Sequence, residues 1–130
     1  MRTFVDTSAI YALLDRSDPS HDAAARVFPD LVGEGLVTHN YVVIEAVALL
    51  QARIGLPAVS TLVREILPVV EMAWVEVPLH ETALATLLAG GTRDVSFVDQ
   101  VSFALMRREA LTTAFAFDDD FRRSGFRAVP

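Results

Sequence analysis

The stretch AFAFDDDF, residues 114–121, places three consecutive aspartates directly behind an apolar run with the character of a strand. The same arrangement occurs near the N-terminus, where TFV, residues 3–5, is followed at once by Asp6. The carboxyl ends of parallel strands lie along one edge of a sheet, and ligands bind at that edge. We therefore expect Asp6 and Asp118 to lie together at the binding edge of one sheet.

Between these two stretches, short strand-like runs alternate with segments of helical apolar spacing. Strands are predicted at residues 3–5, 36–38, 72–77 and 111–117, with a last edge strand at 127–129. Helices are predicted after Asp6, from Asp18-Pro19 to about Val32, from Asn40 to the break at 55–57, at 58–67, from His80 to Leu88, from Ser96 to about Glu109, and as a short turn after the aspartates. This alternation predicts an α/β fold, with a short, mostly parallel sheet of four to five strands flanked by helices.

Several helix boundaries carry specific expectations. Asp18 and Asn40 are expected to cap the helices that follow them. Gly33 and Gly35 are expected to end the helix that begins near Asp18. The third helix is expected to place Val43, Val47 and Leu50 toward the core.

Length and composition restrict the class of protein. The 130 residues suffice for one domain with a proper core, and we expect a single domain over residues 1–130. No apolar run reaches the roughly 18–20 residues of a membrane span, and Asp6 interrupts any apolar secretory signal. The absence of cysteine excludes disulfides and thiol chemistry and favours a cytoplasmic protein. The formal net charge of −6 argues against general phosphate-backbone binding, but not against a site where metal ions carry the positive charge.

Two further acids lie in apolar helical surroundings. Glu45 falls in the second turn of its helix, and Asp99 falls in the first turn of its own. Since helix starts can face the edge where strands end, these two acids can converge with Asp6 and Asp118. Two carboxylates about 4–5 Å apart repel by roughly 3–4 kcal/mol at an effective dielectric near 20, so such a cluster must bind protons or a cation. Ligand sets made only of oxygen suit magnesium or manganese.

Each acid also has a purely structural interpretation. Asp99 follows Ser96 by three residues and fits a capping box, a role that is compatible with metal binding. Asp6 can cap the turn after its strand, and Glu45 can be neutralised by a buried arginine. Asp119 is expected to be solvated surface, because side chains alternate in direction along an extended segment and Asp119 therefore points away from Asp118 and Asp120.

Four segments in order resemble those of PIN-domain ribonucleases, and more closely those of VapC-type toxins of bacterial toxin–antitoxin pairs. The first segment is FVDTSAIYALLD (4–15), with Asp6 as its acid and Ser8 as the accompanying hydroxyl. The second and third are NYVVIEAVALL (40–50), with Glu45, and SFVDQVSFALMRR (96–108), with Asp99. The fourth is AFAFDDDF, with Asp118 as the usual acid and Asp120 as the auxiliary one. The resemblance covers the whole chain and implies a PIN-like three-layer sandwich.

The resemblance also implies hydrolysis of RNA phosphodiester bonds with Mg²⁺ or Mn²⁺ as cofactor. Asp6, Asp99 and Asp118 are then metal ligands, and Asp120 is an outer or second-site ligand. Glu45 orients or deprotonates the attacking water. Supporting hydrogen bonds come from Thr7 and Ser8. The family often places threonine or serine two residues before its fourth acid, whereas this chain has Ala116 there.

Substrate and partner contacts are expected outside the acids. The arginines that flank the acidic segments are candidates for non-specific contacts to RNA phosphates: Arg93, Arg107, Arg108, Arg122 and Arg123. The apolar residues of 41–54 and 58–70 belong either to the core or to an interface, and the family uses such helices to bind an antitoxin and to form a homodimer. His39 is expected to have a surface or packing role rather than to take part in catalysis. The alternatives are a non-catalytic PIN-like module that binds RNA or protein, and a housekeeping RNA-processing nuclease.

Overall fold

The central sheet of the computed structural model, which describes residues 1–130, has five strands. They are β1 (Thr3–Val5), β2 (Leu36–His39), β3 (Glu71–Ala73), β4 (Thr113–Phe115) and β5 (Arg127–Val129). Their order is β3-β2-β1-β4-β5, and every neighbouring pair is parallel. The predicted α/β fold with a short parallel sheet is therefore confirmed, and the sheet is parallel throughout.

Seven α-helices connect and cover these strands. They are α1 (Thr7–Leu14), α2 (His21–Glu34), α3 (Asn40–Arg53), α4 (Leu56–Thr61), α5 (Val77–Gly90), α6 (Phe97–Arg108) and α7 (Asp120–Arg123). After α4 the chain continues through a π-helical turn, Leu62–Ile66, and a 3-10 turn, Leu67–Val69. None of the helices combines the length and the apolar character needed to cross a membrane.

The helices form one layer on each face of the sheet. From β1 to β3 the strands are added in one direction, and the connection from β3 to β4 then returns past β2 and β1. Because such crossovers are right-handed, the return places its helices on the opposite face. Aromatic side chains distinguish the two faces. On one face, Phe115 of β4 stacks on Phe28 of α2, with 6.5 Å between the ring centroids. On the other face, the ring centroid of Phe4 of β1 lies 6.0 Å from that of Phe121, which in turn contacts Phe103 of α6. The result is the expected three-layer sandwich.

The carboxyl ends of β1 and β4 form the point where the strand order reverses. The chain leaves β1 on one side toward β2, and β4 is added later on the other side of β1. The pairing of the two strands continues past β1, since the backbone N–H of Asp6 donates to the carbonyl of Phe115 at 3.0 Å. Ligands of open parallel sheets bind at such a reversal point. The two acid-bearing strand ends therefore meet at the crevice that this topology produces.

The prediction of a strand at 72–77 was wrong beyond residue 73. The strand ends at Ala73, and α5 begins already at Val77, three residues before the predicted start. Pro78 lies in the first turn of α5, where a missing N–H costs nothing and the fixed φ suits a helix. The apolar run 72–77 thus contains the end of an edge strand, a connection and a helix start.

Two predicted helix caps were also wrong. Asp18 does not cap α2; its carboxylate accepts a hydrogen bond from the N–H of Ser20 at 2.8 Å in a turn, and the helix begins at His21. His39 caps α3, because its Nδ1 accepts from the N–H of Val42 at 3.2 Å. The Asn40 side chain accepts instead from the N–H of Val75 at 2.7 Å and ties α3 to the segment after β3. A tertiary hydrogen bond thus replaces the local one.

Other element boundaries in the structure differ from the predicted ones by a few residues. The predicted end of α2 near Val32 shifts to Glu34, and Gly35 alone ends the helix with a φ of +106°, a conformation that favours glycine. The helix predicted at 58–67 starts at Leu56, with Pro57 in its first turn, and is regular only to Thr61. The strand predicted at 111–117 is regular only over 113–115. On α3 the fully buried residues are Val42, Ala46 and Leu50, while Val43 and Val47 are half-buried.

Candidate active site

Local structure positions each of three aspartates at the strand-reversal point. Asp6 follows β1 and caps α1, and its Oδ2 accepts hydrogen bonds from the N–H and the hydroxyl of Ser8 at 3.1 and 2.6 Å. Asp118 lies three residues beyond the end of β4. Asp99 lies in the first turn of α6, where its N–H donates to the hydroxyl of Ser96 at 3.1 Å. The capping interpretation of Asp99 is therefore correct for its backbone, and its carboxylate still faces the other two acids.

The three carboxylates lie close enough to share one ion. Asp6, Asp99 and Asp118 each offer one oxygen, and these oxygens all lie within 4.8 Å of one another. Two buried oxygens nearby have no hydrogen-bond partner, Oδ1 of Asp118 and Oγ1 of Thr7. Buried polar atoms without partners are rare and costly in proteins. A ligand set made only of oxygen, with a free carboxylate oxygen in it, fits a hard divalent cation such as Mg²⁺ or Mn²⁺.

Ser8 connects the two strand ends that carry the acids. Its hydroxyl donates to Asp6 Oδ2 and accepts from the N–H of Phe117 at 3.0 Å. The same oxygen thus fixes the orientation of one carboxylate and the backbone next to Asp118. This geometry agrees with the supporting role that the resemblance implied for Ser8.

Burial and mutual repulsion raise the pKa of all three carboxyl groups of the site. Burial, opposed by the bonds from Ser8 and reinforced by Asp118 and Asp99, raises the pKa of Asp6 to about 7. Burial, followed by the charges of Asp118, Asp120 and Glu45, raises the pKa of Asp99 to about 6. The pKa of Asp118 is also raised, first by burial and then by Asp120. The cluster therefore holds protons near neutral pH that a cation would displace.

Glu45 and Asp120 lie at the periphery of this cluster. Glu45 is half-buried and lines the same cavity as the three aspartates, but its carboxylate is not one of the three that converge. Asp120 acts on Asp118 and Asp99 through its charge and lies 3.8 Å from an Arg123 nitrogen, outside the cavity wall. Asp119 is exposed and forms an ion pair with Arg122 at 3.6 Å, as expected for solvated surface.

The cavity over the acids is large and strongly anionic. Its volume is about 560 Å³, and it is open to solvent between α1, α3 and the start of α6. Five carboxylates line it, from Asp6, Asp18, Glu45, Asp99 and Asp118. Arg53 is the one basic residue in the lining, and Tyr11 is its one tyrosine.

Sequence reasoning missed Arg53 and Tyr11. The available signal was helical spacing: Arg53 follows Leu49 and Glu45 at intervals of four, and Tyr11 follows Thr7 by four. All five residues line the cavity. Residues on the same helix face as a predicted site residue could therefore have been predicted to line the cavity as well.

The arginines predicted from sequence do not line the cavity. Arg122 and Arg123 pair with Asp119 and Asp120, and Arg108 pairs with Glu109 at 3.6 Å. Arg107 lies 5.3 Å from the Phe126 ring at the far end of α6, about 12 Å along the helix from Asp99. Arg93 is exposed in the connection before α6. Contacts from these five to a longer RNA stay a prediction.

His39 and Ala116 are buried in the protein and do not line the acidic cavity. His39 is fully buried, with its Nε2 2.9 Å from the Ser102 hydroxyl, and burial lowers its pKa to about 4. It does not reach the cavity, in agreement with the expected packing role. Ala116 is buried at 2% exposure and has no hydroxyl, and the hydroxyl that donates directly to one of the acids is that of Ser8.

An apolar depression of about 300 Å³ adjoins the acidic cavity. Tyr41, Ile44, His80, Phe97 and Val98 line it, and Glu45 belongs to both cavities. The Tyr41 hydroxyl lies 2.6 Å from Nδ1 of His80, which fixes the α3–α5 contact beneath it. Ile44 is 65% exposed although it lies in the middle of α3.

Comparison with known proteins agrees with this architecture. The "23S rRNA-specific endonuclease VapC20" of Mycobacterium tuberculosis is 38% identical over 97% of this chain and 96% of its own length. The crystal structure of the same toxin, described as cleaving the sarcin–ricin loop, is similar with a TM-score of 0.88 at 36% identity over 95% of each chain.

Two more distant structures share the fold. FitAcB from Neisseria gonorrhoeae has a TM-score of 0.71 at 14% identity, covering 98% of this chain and 96% of its own. PAE2754 from Pyrobaculum aerophilum has a TM-score of 0.68 at 18% identity, covering 99% and 90%. The profile of the PIN domain matches residues 3–127, nearly the whole chain. The chain therefore belongs to the PIN domain family.

Proposed function

We propose that this chain is a metal-dependent endoribonuclease and the toxin of a toxin–antitoxin pair. The observation that carries the proposal is the set of three carboxylates with oxygens within 4.8 Å of one another, one bearing a buried oxygen without a partner. A relative that is 38% identical over nearly the whole chain is an RNA endonuclease, which supports the same activity here.

Asp6, Asp99 and Asp118 would hold the cation. Mg²⁺ or Mn²⁺ bound there would acidify water and stabilise the negative charge that develops on the phosphate. Asp120 is close enough to influence Asp118 and Asp99 by charge, so it serves as an outer group rather than as one of the three converging ligands. Ser8 holds the Asp6 carboxylate in one orientation, which keeps the ligand set preorganised.

Proton handling falls to Glu45. Its carboxylate faces the cavity without belonging to the converging three, so it can accept a hydrogen bond from an attacking water and take its proton. The buried hydroxyl of Thr7, which has no partner in the chain, can bond a carboxylate or a water at the same place. No cysteine is present, and His39 lies outside the cavity, which leaves the acids as the groups for this chemistry.

The relative's name suggests the RNA to test first. That protein acts on 23S rRNA, and its structure is described as cleaving the sarcin–ricin loop. We infer a structured ribosomal RNA as substrate of this chain as well. Location in the cytoplasm follows from such a substrate and stays a prediction.

An antitoxin and a second copy of the chain are the proposed protein partners. Only Leu79 and Ala83 of α5 are fully buried, whereas Val77, Leu84 and Leu88 are 67%, 37% and 79% exposed. Trp74, just before α5, is 68% exposed. Apolar side chains repeated at helical spacing on an exposed face are typical of a surface that packs against a partner helix.

The test is cleavage of ribosomal RNA with Mg²⁺ or Mn²⁺ and with EDTA, for the wild type and for Asp6→Asn. Asp119→Asn is the matched control, because Asp119 belongs to the same acidic run but points to solvent. We expect cleavage by the wild type and Asp119→Asn with metal, and none with EDTA or by folded Asp6→Asn. RNA binding without cleavage by the wild type would identify a non-catalytic module, and cleavage insensitive to both EDTA and Asp6→Asn would exclude the metal mechanism.

A further inference from the structure

Arg53 is the only positive charge that faces the acidic cavity. It lies in the last turn of α3, and the cavity it lines contains five carboxylates. A polyanionic substrate that enters such a cavity meets strong repulsion beyond what one divalent ion neutralises. A cationic side chain at this position is therefore the one group of the cavity wall with a charge suited to RNA.

Arg53 takes part in no ion pair within the chain. The four ion pairs of the protein use Arg2, Arg108, Arg122 and Arg123, and none includes Arg53. The guanidinium lies over the ring of Tyr11 on α1, 5.5 Å from the ring centroid. Stacking on an aromatic face restricts the side chain, and the hydrogen-bond donors that Tyr11 does not engage stay available to a ligand. A preordered guanidinium with free donors is well suited to bidentate binding of phosphate.

The position along α3 indicates which phosphate it reaches. Glu45, Leu49 and Arg53 share one face of the helix, and Glu45 and Arg53 are about 12 Å apart along its axis. Helical side chains lean toward the N-terminus, so the Arg53 side chain leans toward Leu49 and the acids. The two residues lie two helical turns apart on one wall of the cavity, so Arg53 is placed for a phosphate further along the strand than the one beside Glu45.

We propose that Arg53, held by Tyr11, binds an RNA phosphate next to the scissile one and so sets the path of the strand along α3. This inference rests on the proposed ribonuclease function. It makes Arg53 a substrate-positioning residue and Tyr11 the residue that orders it. A structural role alone, in which an arginine in the last turn complements the helix dipole, would affect stability and not RNA binding.

The experiment measures the dissociation constant for a single-stranded RNA oligonucleotide as a function of KCl at one fixed Mg²⁺ concentration. All variants carry Asp6→Asn so that the RNA is not cut. We expect Arg53→Ala to weaken binding roughly tenfold and to lower the slope of log Kd against log salt by about 0.7, the loss of one phosphate contact. Arg53→Lys should keep the slope, and Tyr11→Leu should weaken binding with the slope unchanged.

Arg64→Ala is the matched control, because Arg64 is exposed, lies outside every ion pair and does not line the acidic cavity. It should leave affinity and slope as they are. If Arg53→Ala matches Arg64→Ala in both quantities while the unmutated protein cleaves RNA, the inference is overturned and the proposed function stands. If the unmutated protein neither cleaves nor binds RNA, the proposed function fails, and this inference fails with it.

Discussion

Asp6 and His39 lie at the carboxyl ends of neighbouring strands, β1 and β2, and both are buried, at 2% and 0% exposure. Burial favours the neutral form of each, since it raises the pKa of Asp6 to about 7 and lowers that of His39 to about 4. Their surroundings differ. Both ring nitrogens of His39 have partners in Val42 and Ser102, whereas Asp6 faces two more carboxylates across an open cavity.

The comparison separates structural from functional burial. A buried titratable group with every polar atom satisfied strengthens a particular packing arrangement. A cluster of like charges that retains an unpartnered oxygen and access to solvent destabilises the metal-free folded protein. The same cluster offers ligands to a cation. A shifted pKa alone does not distinguish the two cases, because both groups show one. What distinguishes them is the presence of like-charged neighbours and an opening to solvent, which Asp6 has and His39 lacks.

The largest expected difference between the two regions is in activity. Asp118→Asn removes one charge from the proposed ligand set and should lower kcat/KM for RNA cleavage at least a hundredfold, about 3 kcal/mol of transition-state stabilisation. His39→Gln should change kcat/KM of the folded protein only severalfold, because His39 does not face the cavity. Initial rates with saturating Mg²⁺, normalised to folded protein by circular dichroism, provide the measurement. Equal losses in both variants would show that the distinction is wrong.

The effect of the two regions on stability should have opposite signs. His39→Ala leaves a cavity and unpaired groups at Ser102 and Val42, and should lower the free energy of unfolding by about 2–4 kcal/mol. Asp6→Asn removes a buried charge from a repelling cluster, and should raise it by roughly 2–4 kcal/mol in EDTA at pH 8. Urea denaturation at pH 8 measures both. A destabilised Asp6→Asn in EDTA would mean that the carboxylate is not under electrostatic stress.

The smallest expected effect is the pH dependence of the metal-free protein. Between pH 6.5 and 8, Asp6 binds its proton more tightly in the folded state, while His39 retains part of a proton only in the unfolded chain. The excess of protons on the folded state at Asp6 is the larger of the two, so stability falls as the pH rises, by roughly 0.5 kcal/mol over this range. Below pH 6.5 the opposing contribution of His39 grows, since the unfolded chain protonates His39 while the folded one does not.

Thermal melting in EDTA across this range provides the data, with Asp6→Asn as the comparison. The variant should lose most of the decline above pH 6.5, and saturating Mg²⁺ should remove it from the wild type. A wild-type melting temperature that rises from pH 6.5 to 8 in EDTA would contradict the sign of the pKa shift.

The sequence was a good guide where one local pattern carries the information. A short apolar run that ends in an acid predicted Asp6 and Asp118 at one sheet edge, and the structure places both there. Asp99 was predictable because Ser96 marks the helix start that aims it at this edge. In each case the position depends on the residue's place at the end of an element, which sequence shows directly.

The sequence was a poor guide where tertiary packing decides. The third helix is apolar on every side, so its pattern did not show that Val42 is buried while Ile44 is 65% exposed, and the face with Arg53 stayed hidden. Asn40 is the stronger intrinsic N-cap, yet its amide bonds Val75 and leaves the cap to His39. The exposed apolar side chains of α5 were likewise indistinguishable from core in the sequence.

Asp6, Asp99 and Asp118 are proposed to hold one divalent cation between them. The most direct measurement is an anomalous difference map from crystals of the protein soaked in Mn²⁺, with Asp99→Asn crystals treated in the same way. We predict a peak within bonding distance of all three carboxylates in the wild type, and its loss or marked weakening in the variant. A wild-type map with no peak between these acids, while Mn²⁺ occupies exposed carboxylates elsewhere, would contradict the account.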